Sequence, residues 1–147
     1  MNTSISTLLA GKGAAVRTVP STVTVADAVQ EMNRHKIGSI VVMNDTALAG
    51  IFTERDVLTR VVAGNLDPKT TPITAVMSTE VLTIAPTATV QQVMDIFAER
   101  RCRHLPVVEN GQLRGLISIG DVSRWVANAH RAEAESLRQY ISGGLST

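Results

Sequence analysis

The sequence has few aromatic rings, no surplus of one charge and a single thiol. Two Phe, one Tyr and one Trp make up 3% of the chain, and 14 Lys+Arg stand against 13 Asp+Glu for a net charge of +1. Such a chain has neither the field that tracks a phosphate backbone nor the platforms that stack bases, which argues against a nucleic-acid partner. Cys102, the only cysteine, has no partner for an intramolecular disulfide and fits a reducing compartment. Aligned with Ile37, it reads as a small apolar core residue rather than a redox centre. His35 and His130 lack partners at metal-ligand spacing, so no zinc site is expected. No apolar run approaches the roughly 18 residues of a membrane span. The run at 5–10 is too short for a secretory segment and has no basic stretch before it. The expectation is a cytoplasmic chain with no membrane segment.

What is present is apolar material sufficient for a core, at 44% hydrophobic and 18% charged residues in 147, and an internal repeat. A 65-residue shift lays 16–61 on 81–126 without a gap, with about a quarter of the positions identical. Thr18 falls on Thr83, Val25 on Val90, Val42 on Val107, Gly50 on Gly115 and Asp56 on Asp121. Upstream, 5–9 resembles 73–77 but sits three residues farther from the strand that follows.

Each copy reads as strand, helix, strand, strand, helix. Val25, Ala28, Val29 and Met32 form one apolar stripe behind a Thr24 start, and Val90, Val93, Met94 and Phe97 repeat it behind Thr89. The apolar runs at 40–43 and 105–108 read as covered strands. Hairpin turns are expected at Asn110-Gly111 and, more weakly, at Asn44-Asp45. Second helices are expected to start near Glu54 and Gly120. Met32, Met43, Met77 and Met94 read as core. A unit of about 60 residues is marginal alone, so the copies are expected to pack together with pseudo-two-fold symmetry and two related clefts. The division expected is 1–66 for the first copy with its N-terminal segment, 67–80 for a linker, 81–127 for the second copy and 128–147 for a helical tail. The class is α/β (α+β).

The second hairpin strand of each copy runs into a glycine, hydroxyl and Asp pattern, GIFTERD at 50–56 and GLISIGD at 115–121. Strand ends and helix N-termini present unpaired N–H groups to anions, Thr53 and Ser118 add hydroxyls, and Asp56 or Asp121 can accept both bonds of a ribose diol. Gly50 and Gly115 allow close approach of backbone or ligand. The same residues also read as helix capping boxes.

With PVV at 106–108, these motifs make the chain resemble the tandem cystathionine-β-synthase (CBS) domain family, the Bateman module, over nearly its whole length. The resemblance implies a stand-alone, non-catalytic regulatory pair that binds AMP, ADP, ATP, NAD or S-adenosylmethionine between its repeats. Implied ligand contacts are Thr53, Arg55, Asp56, Ser118 and Asp121, with Pro106 and Ser39 on the neighbouring strands. The strand entering each copy would meet adenine through its backbone at Thr18, Val19 and Pro20, and at Thr83, Ile84 and Ala85. Arg103 and His104 are implied phosphate contacts, expected to face the cleft of Thr53 and Asp56. Arg100 and Arg101 read as the basic end of a helix. Gly38 and Ser39 bring no charge to the other cleft, so the two sites should differ.

A helix over 121–141, stopped by Gly143-Gly144, is too long for so small a module to cover. Trp125, Leu137, Tyr140 and Ile141 are expected to bury a homodimer contact. An unidentified effector protein is a further possible partner. The alternative reading is a ligand-independent homodimeric scaffold in which the Thr, Ser and Asp residues are only caps. No activated nucleophile or catalytic cofactor site supports an enzyme.

Overall fold

A computed structural model describes residues 2–12 and 16–145. The first copy contains β1 (Thr18–Pro20), α2 (Val25–His35), β2 (Ser39–Asn44), β3 (Ala47–Thr53) and a short α3 (Glu54–Asp56) that continues as a π-helical stretch, Val57–Val62; α1 (Ile5–Lys12) precedes it. A 3-10 turn at Ile73–Ala75 leads to α4 (Val90–Arg100), β4 (His104–Glu109), β5 (Gln112–Ser118) and α5 (Ile119–Leu145). The architecture is mixed α/β with two small sheets and a long C-terminal helix.

The repeat persists in detail. Ser39 faces Thr53 in one hairpin and His104 faces Ser118 in the other, and each hairpin has its bulge at the same place, Val42/Met43 and Val107/Val108. Glu54 N–H donates to Gly38 O, and Ile119 N–H donates to Arg103 O. Helices α2 and α4 both start with complete capping boxes, Thr24 with Asp27 and Thr89 with Gln92, and both end on a left-handed basic residue, Lys36 or Arg101.

Three local expectations are corrected. The strand expected at 83–85 is a single parallel bridge between Ile84 and Val107. In the first copy, Ser21 N–H donates to Met43 O and Val41 N–H to Arg17 O. The aligned donors are Pro86 and Pro106, which have no N–H, so both outer ladder bonds are missing. The first hairpin turns at Asp45 and Thr46, because Asn44 still pairs with Ala47. Asp45, not Asn44, takes the positive φ of 54°. The second turn sits at Asn110-Gly111 as expected, with φ of 53° and 75°. Finally, α5 passes through Gly143-Gly144 to Leu145, because glycine weakens a helix without obliging it to stop.

The two cores exchange their outer segments. Ile73 and Val76 of the connection pack on the first copy with Val25, Met32, Ile40 and Phe52. Ile5 and Leu8 of α1 pack on the second with Val90, Val93, Leu105 and Ile117. Their glycines record the closeness: a Cβ on Gly50 would lie 2.6 Å from Ser78 O, and one on Gly115 would lie 2.5 Å from a Leu9 methyl. Protein segments, then, supply the close approach expected there. Met32 is buried, and Met77 and Met94 pack at the edges of the two cores.

Candidate functional site

Where the copies meet, a cavity of about 380 Å³ opens between the turn joining α2 to β2 and the start of α5. Leu9 and Lys12 of α1, Val16 and Arg17 ahead of β1, and Lys36, Ile37, Gly38 and Ser39 line one side. His104, Gly115, Leu116, Ser118, Asp121 and Arg124 line the other. Cations from several elements therefore surround one carboxylate, beside an apolar surface from Leu9, Val16, Ile37 and Leu116.

Asp121 is held from three directions. Its Oδ2 accepts from Ser118 N–H at 2.9 Å and from Lys12 Nζ at 2.7 Å, while Oδ1 accepts from Arg124 Nη2 at 2.6 Å. Lys12 Nζ also donates to Leu116 O at 2.7 Å. Asp121 N–H donates to Ser118 Oγ at 3.1 Å, completing a capping box at the head of α5. Burial alone would raise the Asp121 pKa, but the Lys12 bond and charge and the Ser118 bonds outweigh it and hold the carboxyl below its ordinary range.

Thr53 and Asp56 form the equivalent box, with Thr53 N–H to Asp56 Oδ2 at 2.9 Å and Asp56 N–H to Thr53 Oγ1 at 3.3 Å. Arg60 Nε lies 3.6 Å from Asp56. Both lie outside the cavity, as do the exposed Arg55 and Arg103. His104 does not join them on the side expected. Its register opposite Ser118 places it in the cavity of Asp121, together with its pseudo-symmetric counterpart Ser39. The cleft bordered by Gly38 and Ser39 is also not poor in charge, because Lys12, Arg17, Lys36 and Arg124 supply it.

Thr18, Val19 and Pro20 line an adjacent groove of about 740 Å³, closed on the second copy by Gln112, Leu113 and Arg114. Val16 borders both spaces. In the second copy, Ile84 is buried, its N–H donates to Pro106 O and its O accepts from Val108 N–H. Those groups are therefore unavailable to a base, and Pro106 is buried beside them. Thr83 and Ala85 are exposed.

Sequence reasoning missed four basic residues here. Arg17 adjoins the expected Thr18, Lys36 adjoins Gly38, and Arg124 lies one helical turn beyond Asp121, so each had a local signal. Lys12 had none, because its contact spans 109 residues.

Burial lowers the His104 pKa from 6.5, Lys12 adds to that, Asp121 opposes it, Arg103 lowers it further and Glu54 opposes. The folded state therefore binds fewer protons than the unfolded chain below about pH 6.5, and stability falls as the pH drops from there towards the folded value. The depressed Asp121 pKa has the same sense at lower pH: its stabilisation is present above 3.8 and lost as the pH falls through the folded value. Urea unfolding at pH 7.5 and 5.5 is expected to show a smaller loss of stability for His104→Gln than for the unaltered chain. Equal losses would remove His104 from this linkage. Burial raises the Cys102 thiol pKa, against a backbone bond and Arg100 that lower it, as suits a thiol packed against the second core.

The CBS domain profile matches residues 14–63 and 73–128, covering both copies and both glycine–hydroxyl–Asp motifs. The chain belongs to the CBS-domain family. This CBS pair is 39% identical over 126 residues to the mitochondrial CBS domain-containing protein CBSX3 of Arabidopsis thaliana, an alignment covering 82% of this chain and 61% of that protein. The crystal structure of the CBS domain NE2398 superposes with a TM-score of 0.81 at 34% identity, covering 85% of this chain and 98% of that one. The CBS domain protein PAE2072 from Pyrobaculum aerophilum, solved in complex with AMP, gives 0.73 at 28% identity, covering 81% of this chain and 89% of that one. No described helix of the CBS pair is long and apolar enough to cross a membrane.

Proposed function

We propose that this CBS pair is a non-catalytic regulatory module that binds an adenine nucleotide in the cavity between its copies and acts as a metabolite or energy sensor. The observation that carries the reading is one cavity holding a helix-start Ser–Asp pair, four cations and an apolar wall. Asp121 would accept the ribose diol, the side chains of Lys12, Arg17 and Lys36 would meet phosphate, and the apolar residues would hold the base. The AMP complex of PAE2072 supports this ligand class. AMP, ADP, ATP, NAD and S-adenosylmethionine all contain the recognised adenosine. Bound ligand would act by differential affinity for two packings of the copies.

Thermal unfolding with each of these five ligands at millimolar concentration tests the proposal. Ligand at about 100 times its Kd should stabilise the folded state by about 2.7 kcal/mol. No rise with any of them favours the scaffold reading, which the complete capping boxes at Thr53–Asp56 and Ser118–Asp121 support by giving those residues a structural role. The proposal places the module in the cytoplasm.

We further propose a homodimer formed along α5. This helix of 27 residues extends about 40 Å. Trp125 packs on its own second core, whereas Leu137, Tyr140 and Ile141 are 61%, 80% and 52% exposed. Light scattering of a chain ending at Ala129 is expected to report a monomer where the full chain is a dimer. An unchanged dimer would place the interface elsewhere.

A further inference from the structure

The two copies close the same backbone position in different ways. In the first, Ile51 O accepts from Ser78 N–H, a main-chain group fixed by the connecting segment. In the second, the aligned Leu116 O accepts from Lys12 Nζ. A side-chain ammonium thus stands where the other copy has an amide, and the same ammonium reaches Asp121. Among the described residues Asp56 has no such clamp from another segment: beyond its own capping box, the cation paired with it is Arg60 four residues on, at 3.6 Å.

This asymmetry constrains what Asp121 can bind. A carboxylate offers about four acceptor positions. Ser118 N–H, Lys12 and Arg124 occupy three of them. A diol needs two, so one cation must leave. If Lys12 leaves for an uncharged nucleoside, the Asp121 carboxylate, its side chain only 8% exposed, loses a cation and no new ion pair replaces it, which is unfavourable. If the ligand carries phosphate, the ammonium exchanges one anion for another. The four-carbon stem of lysine permits that movement.

On the reading given under Proposed function, we propose that Lys12 sets the specificity of the cavity: it clamps Asp121 in the free protein and passes to the phosphate when a nucleotide binds, so that phosphorylated adenosines are accepted and adenosine is refused. Because Lys12 is the last residue of α1, the exchange also ties ligand occupancy to the N-terminal helix.

Calorimetric titration of the full chain with AMP and with adenosine tests this, using Lys12→Met, Lys12→Gln and Lys12→Arg beside the unaltered protein. The unaltered chain should prefer AMP. In Lys12→Met and Lys12→Gln, AMP should bind about tenfold more weakly and adenosine more tightly, so that the preference shrinks by more than tenfold, in line with the strength of charge-assisted bonds. Lys12→Arg should keep the preference. An undiminished preference in both neutral variants would overturn the role of Lys12 while leaving the nucleotide site intact. Absence of binding by the unaltered chain, to either ligand, would overturn the nucleotide reading and this inference with it.

Discussion

Asp121→Ala is expected to weaken nucleotide binding by about 10- to 100-fold, the range that follows from losing hydrogen bonds to a charged acceptor. Asp56→Ala is expected to weaken it far less. The aligned motifs alone would rank the two alike, and the geometry separates them. Asp121 lies in the cavity with Lys12, Arg17, Lys36 and Arg124, whereas Asp56 lies outside it. Aligning the copies sets Leu82 against Arg17, and the three-residue offset sets Glu80 against Lys12. Both substitutions also remove the N3 half of a capping box, Asp56 from Thr53 and Asp121 from Ser118, and so lower stability. Affinity should therefore be read by calorimetry and not from melting temperature alone. Equal losses in the two variants would show that both clefts bind with similar strength.

The second large effect concerns folding. Ile5→Ala is expected to cost about 2–5 kcal/mol, as deletion of a fully enclosed aliphatic side chain does, although the residue lies four positions from the N-terminus. Ile5 is 0% exposed and belongs to the core of the second copy; Ile73, also 0% exposed, holds the same place in the first. Ile73→Ala should cost a similar amount. Urea unfolding measures both. A cost below about 1 kcal/mol for Ile5→Ala, as for a typical surface substitution, would mean that α1 is not part of the second core.

The likeness of 5–9 to 73–77 was legible because apolar spacing survives substitution. Which copy each segment serves was not legible, because nothing local to Ile5 refers to Val90 or Ile117. The two hairpins and the capping boxes followed from short apolar runs, turn residues and Thr, Ser and Asp at helix starts, although the first turn falls one residue later than Asn44-Asp45. The shortened strand at Ile84 was recoverable in principle: Pro86 and Pro106 stand where the first copy donates ladder bonds, and the absence of two N–H groups decides the matter. The Ser118–Asp121 half of the proposed site stood out by its motif, but no more than Thr53–Asp56 did. Its cationic half did not, since Arg17, Lys36 and Arg124 meet only across the folded interface and Lys12 reaches Asp121 from 109 residues away. The placement of His104 turned on the same interface: its partner in the hairpin is Ser118, and only the packing of the two hairpins brings it to Ser39.

A crystal structure of the full chain grown with a saturating adenine nucleotide tests the central claim most directly. The account predicts ligand density in the cavity of Arg17, Ser39, Ser118 and Asp121, with the ribose oxygens within hydrogen-bonding distance of the Asp121 carboxylate and phosphate beside Lys12 or Arg17. Density confined to the Asp56 side, or a cavity left empty while calorimetry under the same conditions records binding, would contradict it.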